Sequence, residues 1–392
     1  MPYKGSKNKL AGKIFELFPR KKNFYDLFCG GCAMTHYGLL HGGFENFYMN
    51  DINPACPELF MDAVHGKFKD EKRWISREDF EKLKDVEPYV AFCWSFGNNL
   101  KAYLYSKEIE PLKKAFHYAR VFNDFSIFKE MNIDLKTVKE NQDGIIEKYI
   151  VWYVKKYFKK EKTIKELKEI LTNSTSNEDL RLYLCEALKE SGLTQSEVDR
   201  RNGNQMSKHF FGKSQWQFPS RENYLNMQKF LPLGKDYDEI YGLQDFLLNF
   251  YKIKRIRESE NLERTCRLQS LEQLQNLQSL ERLQTSSLSY EKIKIKENSV
   301  IYCDIPYEGT DGYLTDFDFE KFYSWCEKQT EPLFISSYKM PADRFVCVAM
   351  FKHRCTLSAT ENVEVTEKVF IPKHQEKEYH LPGSLFNFDE MM

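Results

Sequence analysis

Two apolar strand-like segments, near opposite ends of the chain, each run directly into a turn rich in chemistry. This pairing restricts the fold more than any other feature. Residues 24–28 (FYDLF) lead into Cys29, Gly30 and Gly31, and residues 299–303 (SVIYC) lead into Asp304, Ile305, Pro306 and Tyr307. Apolar runs ended by glycine or proline read as buried strands. After the first turn, residues 33–40 have helical character, and a second strand at 44–49 ends on Asn50 and Asp51. That makes a strand-helix-strand unit with an acid at its tip. Further strands are expected at 333–336, 345–351 and 364–371, with a helix over 318–328.

Composition limits the class of protein. A chain of 392 residues with 42% hydrophobic and 30% charged residues has the make-up of a soluble globular protein of two or three domains. No apolar run reaches the 18 or so residues a membrane span needs. The Lys- and Gly-rich start lacks the apolar stretch of a signal peptide, so a cytoplasmic location is expected. The 58 basic and 58 acidic residues cancel, so charge must be sought locally. Ten cysteines without an export signal read as reduced thiols. Cys29 and Cys32 form the one CxxC, no second ligand pair stands at zinc spacing, and no metal is expected.

The first turn suits a nucleotide-like ligand. Glycines after a strand let backbone approach a ligand closely, and Asp51, at the end of the next strand, suits a pair of ribose hydroxyls. The loop does not match GxGxxG, and a glycine turn of any α/β protein would look similar. At the second turn, Asp304 and a neighbouring backbone carbonyl can accept the two protons of an exocyclic amine while an aromatic ring stacks on the base.

Taken in order, these segments resemble the Dam-type DNA adenine-N6 methyltransferases, whose recognition domain lies between cofactor motif and catalytic motif. The resembling residues are Tyr3-Lys4-Gly5-Ser6-Lys7, Asp26 to Gly31, Asn50-Asp51 and Asp304-Ile305-Pro306-Tyr307. The resemblance implies an α/β fold: a Rossmann-like mixed sheet flanked by helices that binds S-adenosylmethionine, with an inserted, mostly helical DNA-recognition domain. It implies that Tyr3 and Lys7 contact the cofactor, that Asp26 is among the cofactor-binding residues, that Phe28, Gly30 and Gly31 line the cofactor's methionine end, that Asp51 holds the ribose, and that Tyr290, in a strand-like stretch 289–295, packs on the cofactor adenine. Asp304 and the Ile305 carbonyl would draw the protons of adenine N6, with Pro306 shaping the turn and Tyr307 stacking on the flipped base. The family usually carries Pro at position 305, Gly at 32 and Asp at 289; here stand Ile305, Cys32 and Ser289. The implied partner is double-stranded DNA, without a membrane, the protein acting as a monomer or weak dimer, as in restriction-modification systems. Two alternatives are a catalytically impaired DNA-binding protein of the same fold, and methylation of cytosine N4 or an RNA base.

The middle of the chain is helical and basic. Residues 152–171 hold seven Lys against three Glu, and a Ser/Thr/Asn break follows at 172–177. Residues 193–212 have helix-turn-helix spacing: Thr194 and Glu197 can form a capping box, Asn202-Gly203 a stop, and a second short helix starts near Gln205. From Arg200 to Arg221 there are five Lys/Arg and no acid, interleaved with aromatics. One reading puts Gln205, Ser207, Lys208 and His209 at a DNA groove, with Arg200, Arg201 and Lys213 on phosphates. The other is a solvated helix pair with a local aromatic core. The polar-aromatic loop 94–99 borders the target-base pocket or is a buried turn.

Leucines 268, 271, 274, 277, 280 and 283 recur every third residue. On an α-helix that period slips about 60° per repeat and makes no single stripe, which suggests a helical connector. The expected organisation is a catalytic domain of residues 1–55 and 285–392, an inserted target-recognition region at 56–260, and a Leu/Gln-rich connector at 261–284.

Overall fold

The computed structural model describes residues 1–3, 5–137, 142–173, 175–252, 260–306, 317–355 and 363–379. The chain divides into two compact units, Met1–Leu104 with Glu260–Met392, and Tyr105–Ser259. Among the described residues no helix is long and apolar enough to cross a membrane.

The first unit is built on a seven-stranded sheet: β1 (Asn23–Asp26), β2 (Asn46–Asn50), β3 (Leu283–Ser286), β4 (Ser299–Asp304), β5 (Leu333–Ser337), β6 (Phe345–Cys355) and β7 (Val363–Pro372). Their order is β3-β2-β1-β4-β5-β7-β6. β3, β2, β1, β4 and β5 run parallel, and β7 is antiparallel to both β5 and β6. All of β1 and β5, and β4 up to its last residue, are buried, as continuous apolar runs must be in a parallel sheet covered on both faces. Tyr25 stacks on its register partner Tyr48 at 4.2 Å. On one face Tyr25, Leu27, Ile301, Ile305 and Ile335 pack with Phe322 of the helix Phe319–Cys326.

The helix Ala33–His41 carries the chain outward from β1 to β2, and Phe319–Cys326 carries it the other way from β4 to β5. The connections therefore diverge between β1 and β4, which opens a crevice at the carboxyl ends of those two strands. Register sets Asp26 beside Tyr302. The turn at 27–31 and residues 304–306 thus stand side by side despite their distance in sequence.

Three expectations are corrected. Residues 56–104, expected in the insertion, lie with the sheet in the first unit. Their helices Ala55–Val64 and Pro88–Cys93 pack against Glu260–Gln269, tied by Arg264 Nη1 donating to the carbonyls of Cys93 at 3.2 Å and Ser95 at 2.7 Å. The stretch 261–284, expected to be a connector, is a layer of the same unit. After the helix Glu260–Gln269 it tightens into 3-10 turns at Ser270–Asn276 and Gln278–Arg282, then enters β3. A 3-10 helix has three residues per turn, so a three-residue period keeps one face. Leu271 and Leu274 are accordingly buried, as is Leu268 one turn earlier at the end of the α-helix. Finally, the stretch 289–295 is no strand; Tyr290 opens the 3-10 turn Tyr290–Lys292.

The second unit is helical in its described residues. Leu180, Leu184, Val198, Phe210, Phe211, Tyr224 and Met227 form its core around the helices Asn177–Ser191, Gln195–Asn202 and Ser207–Phe211. The capping box of Thr194 and Glu197 is present, and Gly203 ends the helix in the left-handed conformation.

Candidate active site

A cleft of about 810 Å³ lies in the first unit at the carboxyl ends of β1, β2 and β4. This is within the usual range of ligand pockets. Tyr3, Lys7, Asp26, Phe28, Gly30, Gly31, Asp51, Tyr290, Asp304, Ile305 and Pro306 all line it. Tyr307 lies outside the described residues.

The glycine loop is braced by Asp51, whose Oδ2 accepts from Gly30 N at 2.8 Å and whose Oδ1 accepts from Asn53 N at 2.9 Å. Gly30 has φ +44°, and a Cβ there would stand 2.6 Å from the Tyr3 ring; at Gly31 it would stand 2.6 Å from Tyr3 Cβ. Glycine is therefore required at both positions by the close approach of Tyr3, which is itself stacked on Phe92 at 5.9 Å. Burial raises the Asp51 carboxyl, opposed by its two backbone donors. Each Asp51 oxygen has a second lone pair beyond these bonds, and the residue lines the cleft.

Asp26 is 1% exposed, and burial pushes its carboxyl up to about 7. Its Oδ2 accepts from Thr35 N at 3.2 Å and Thr35 Oγ1 at 2.8 Å, in the first turn of the helix Ala33–His41. Asp26 thus anchors that helix to β1 while lining the cleft wall. Asn50, whose signal in the sequence was only its place before Asp51, ties three strand ends together. Its Nδ2 donates to the carbonyls of Leu27 and Leu288, both at 3.0 Å, and its Oδ1 accepts from Ser286 Oγ and Leu288 N.

Phe28 and Tyr290 face each other at 5.5 Å over an aromatic floor of Phe317, Phe322 and Trp325. Burial raises the Tyr290 hydroxyl, which stays neutral. Phe28 and Tyr290 give the cleft an apolar end suited to a planar ring.

The other end is charged. Lys7 Nζ lies 2.8 Å from Asp304 Oδ1 and 3.7 Å from Glu367 Oε2. Burial disfavours the Lys7 charge, but the two carboxylates outweigh it, and its pKa is raised. The sequence reading missed Glu367; a lone acid in the apolar strand VTEKVFI was the available signal. Ile305 is 1% exposed and packs in the sheet core. Cys29 and Cys32 are buried thiols with Sγ atoms 3.6 Å apart. In the loop 94–99, Trp94 and Ser95 are buried and Phe96 is exposed, while Asn99, Leu100 and Lys101 border the cleft.

In the second unit Arg200, Arg201, Gln205, Lys208 and Lys213 are exposed, and His209 is half-buried with Nδ1 3.1 Å from the Gln215 carbonyl. Ser207 is a correction. It is 1% exposed, and its N and Oγ both donate to Asp199 at 2.8 Å, closing the short helix Ser207–Phe211 onto its predecessor. Phe210, Phe211 and Phe218 are buried in the local core, so the segment has an aromatic inside and a cationic outside.

A family model described as D12 class N6 adenine-specific DNA methyltransferase matches residues 3–182. The match takes in the glycine loop, Asp51 and the first helices of the second unit. Comparison with curated proteins gives no match.

Proposed function

We propose that this chain, over residues 3–182 a D12 class N6 adenine-specific DNA methyltransferase, uses S-adenosylmethionine to methylate the N6 amine of adenine at a specific sequence of double-stranded DNA. The observation that carries the reading is the meeting in one cleft of the Gly30–Asp51 loop and the Asp304 carboxylate.

The residues suit the cofactor by their chemistry. Asp51 braces Gly30 and still has lone pairs for two ribose hydroxyls. Gly30 and Gly31 offer backbone without a Cβ, and Phe28 and Tyr290 offer ring faces to an adenine. Bound there, S-adenosylmethionine supplies an electrophilic methyl group on a sulfonium.

Adenine N6 is a weak nucleophile because its lone pair is delocalised into the ring. Asp304 accepts one of its N–H groups and the Ile305 carbonyl accepts the other, which favours a more tetrahedral, electron-rich nitrogen. Asp304 then takes the proton that the amine sheds, and no covalent enzyme intermediate is needed. Ile in place of the family's Pro keeps this carbonyl, and burial of its side chain at 1% exposure supplies rigidity that a ring would otherwise give. A base inside a duplex is out of reach, so the adenine is flipped out and stacked on Tyr307. On the DNA side, Arg200, Arg201, Lys208 and Lys213 meet phosphates, and Gln205 and His209 approach a groove.

The test is to express wild type and Asp304→Ala in a host without adenine methylases and to map N6-methyladenine by single-molecule sequencing. A sequence-specific mark that vanishes in Asp304→Ala is expected. Soluble wild type that leaves no mark overturns the reading.

A further inference from the structure

Phe96 has no place in the chemistry above, yet it is 63% exposed in the segment whose Asn99, Leu100 and Lys101 border the cleft. A single large ring in water is ordinary on most surfaces. Here the backbone that carries it is both strained and pinned. Gly97, Asn98 and Leu100 have positive φ, +57°, +55° and +62°, a conformation that glycine and asparagine tolerate and leucine does not.

The surroundings hold that conformation. The stem is closed by Leu104 N donating to the Trp94 carbonyl at 2.8 Å, by Phe96 N donating to the Ala102 carbonyl at 2.7 Å, and by a bridge between Ser95 and Tyr103. Within the loop, Ser95 Oγ accepts from Leu100 N at 3.1 Å, and Asn99 Oδ1 accepts from Lys101 N and Ala102 N, both at 2.9 Å. Asn98 Nδ2 donates to the Phe92 carbonyl at 2.9 Å, which ties the loop to the helix Pro88–Cys93. Strain over-determined by its neighbours gathers at ligand clamps and active sites.

Lys101 is exposed on the same loop. The other lysines that line the cleft among the described residues each meet a carboxylate: Lys7 meets Asp304 at 2.8 Å, Lys321 meets Glu291 at 2.8 Å, and Lys84 meets Glu81. A fixed backbone thus presents a cation and an aromatic face together. These are the two groups that hold an unpaired nucleotide strand, the cation on a phosphate and the ring on a base.

We propose that residues 96–101 are a DNA contact of the first unit, in which Lys101 meets a phosphate flanking the extruded adenine and Phe96 stacks on a base left unpaired at that site. This inference rests on the reading of the cleft as a methyl-transfer site, because extrusion of the target is what supplies the unpaired base.

The experiment uses the full chain with S-adenosylhomocysteine and duplexes carrying its mapped site, read by fluorescence anisotropy. Lys101→Gln is expected to lower the slope of log K against log salt by about 1. A neutral methylphosphonate at one of the two phosphates flanking the adenine weakens wild type several-fold and leaves Lys101→Gln as it was, since the cation is already gone. Lys101→Arg restores that sensitivity. Phe96→Ala binds the mapped site about tenfold more weakly and a duplex without the site as wild type does; Phe96→Trp keeps the affinity. Both Lys101→Gln and Phe96→Ala keep wild-type S-adenosylhomocysteine affinity by calorimetry. A wild-type salt slope and methylphosphonate sensitivity in Lys101→Gln overturn the proposal, as does wild-type affinity of Phe96→Ala for the mapped site. Equal loss of S-adenosylhomocysteine affinity in both variants would make the loop merely a wall of the cleft and also overturns it. A wild type that forms no N6-methyladenine instead removes the methyl-transfer reading itself, and with it the extruded base that this contact needs.

Discussion

At the residue scale, two carboxylates in one cleft do different work because their surroundings differ. Asp304 is held by a lysine, whereas Asp26 is held by a hydroxyl and an amide, with the carboxylates of Asp304 and Asp51 as further charges near it. Removing Asp304 deletes a pre-organised acceptor, and Asp304→Ala is expected to lose on the order of 10²–10³ in kcat with little change in S-adenosylmethionine affinity, read by single-turnover kinetics and calorimetry. Asp26 makes a prediction about stability. Its carboxyl is raised from 3.8 to about 7 by burial, so the unfolded chain releases this proton at lower pH than the folded one. The protonated form's contribution is complete below about 4, falls as pH rises between about 4 and 7, and levels off above. Asp26→Asn, which keeps the acceptor for Thr35, should flatten that fall, worth up to roughly 4 kcal/mol, in denaturant titrations across this range. Asp51 and the glycines were legible because their signal is local: a turn, a strand end, a fixed spacing. Lys7 was legible as a site residue and not by its partners, since nothing near position 7 announces a carboxylate on β7.

At the element scale, the leucine repeat shows how the same period means different things in different helices. Read on an α-helix, the leucines wind around the axis; in the 3-10 turn Ser270–Asn276, Leu271 and Leu274 share one face and bury against the helix Ala55–Val64. Leu274→Ala should therefore cost about 2–5 kcal/mol, whereas Gln275→Ala, on the exposed side, should stay within about 0.5 kcal/mol; urea unfolding of the two variants distinguishes them. The short helix Ser207–Phe211 makes the complementary case. Its sequence has the look of a groove-reading helix, but Ser207 is committed to Asp199. Ser207→Ala should lower stability by about 1–3 kcal/mol and leave DNA affinity as it was, by fluorescence anisotropy on the folded variant.

At the scale of the whole molecule, a chain without net charge gathers exposed cations locally, which suits the proposed DNA contact. Arg200, Arg201, Lys208 and Lys213 are exposed on the second unit, and the cofactor-type cleft belongs wholly to the first. The two functions should then separate. Lys208→Ala is expected to weaken DNA binding evenly across sequences and to reduce the slope of log K against log salt by about 1, with S-adenosylmethionine affinity unchanged. An unaltered salt slope would remove Lys208 from the phosphate contacts.

The amino-acid sequence by itself determined the buried strands, the glycine turn, Asp51 at its strand tip, the Asp304 turn and the helical, basic middle. Each depends on neighbours a few residues away, through apolar runs, turn chemistry and capping. Only the tertiary structure decided where the first unit ends, that the leucine segment belongs to its core, that Ser207 points inward, and that Lys7 stands between Asp304 and Glu367. Those outcomes depend on which strands become neighbours, and sheet order is set by packing over the whole unit. The divergence of the chain between β1 and β4 turns two distant strand ends into one site.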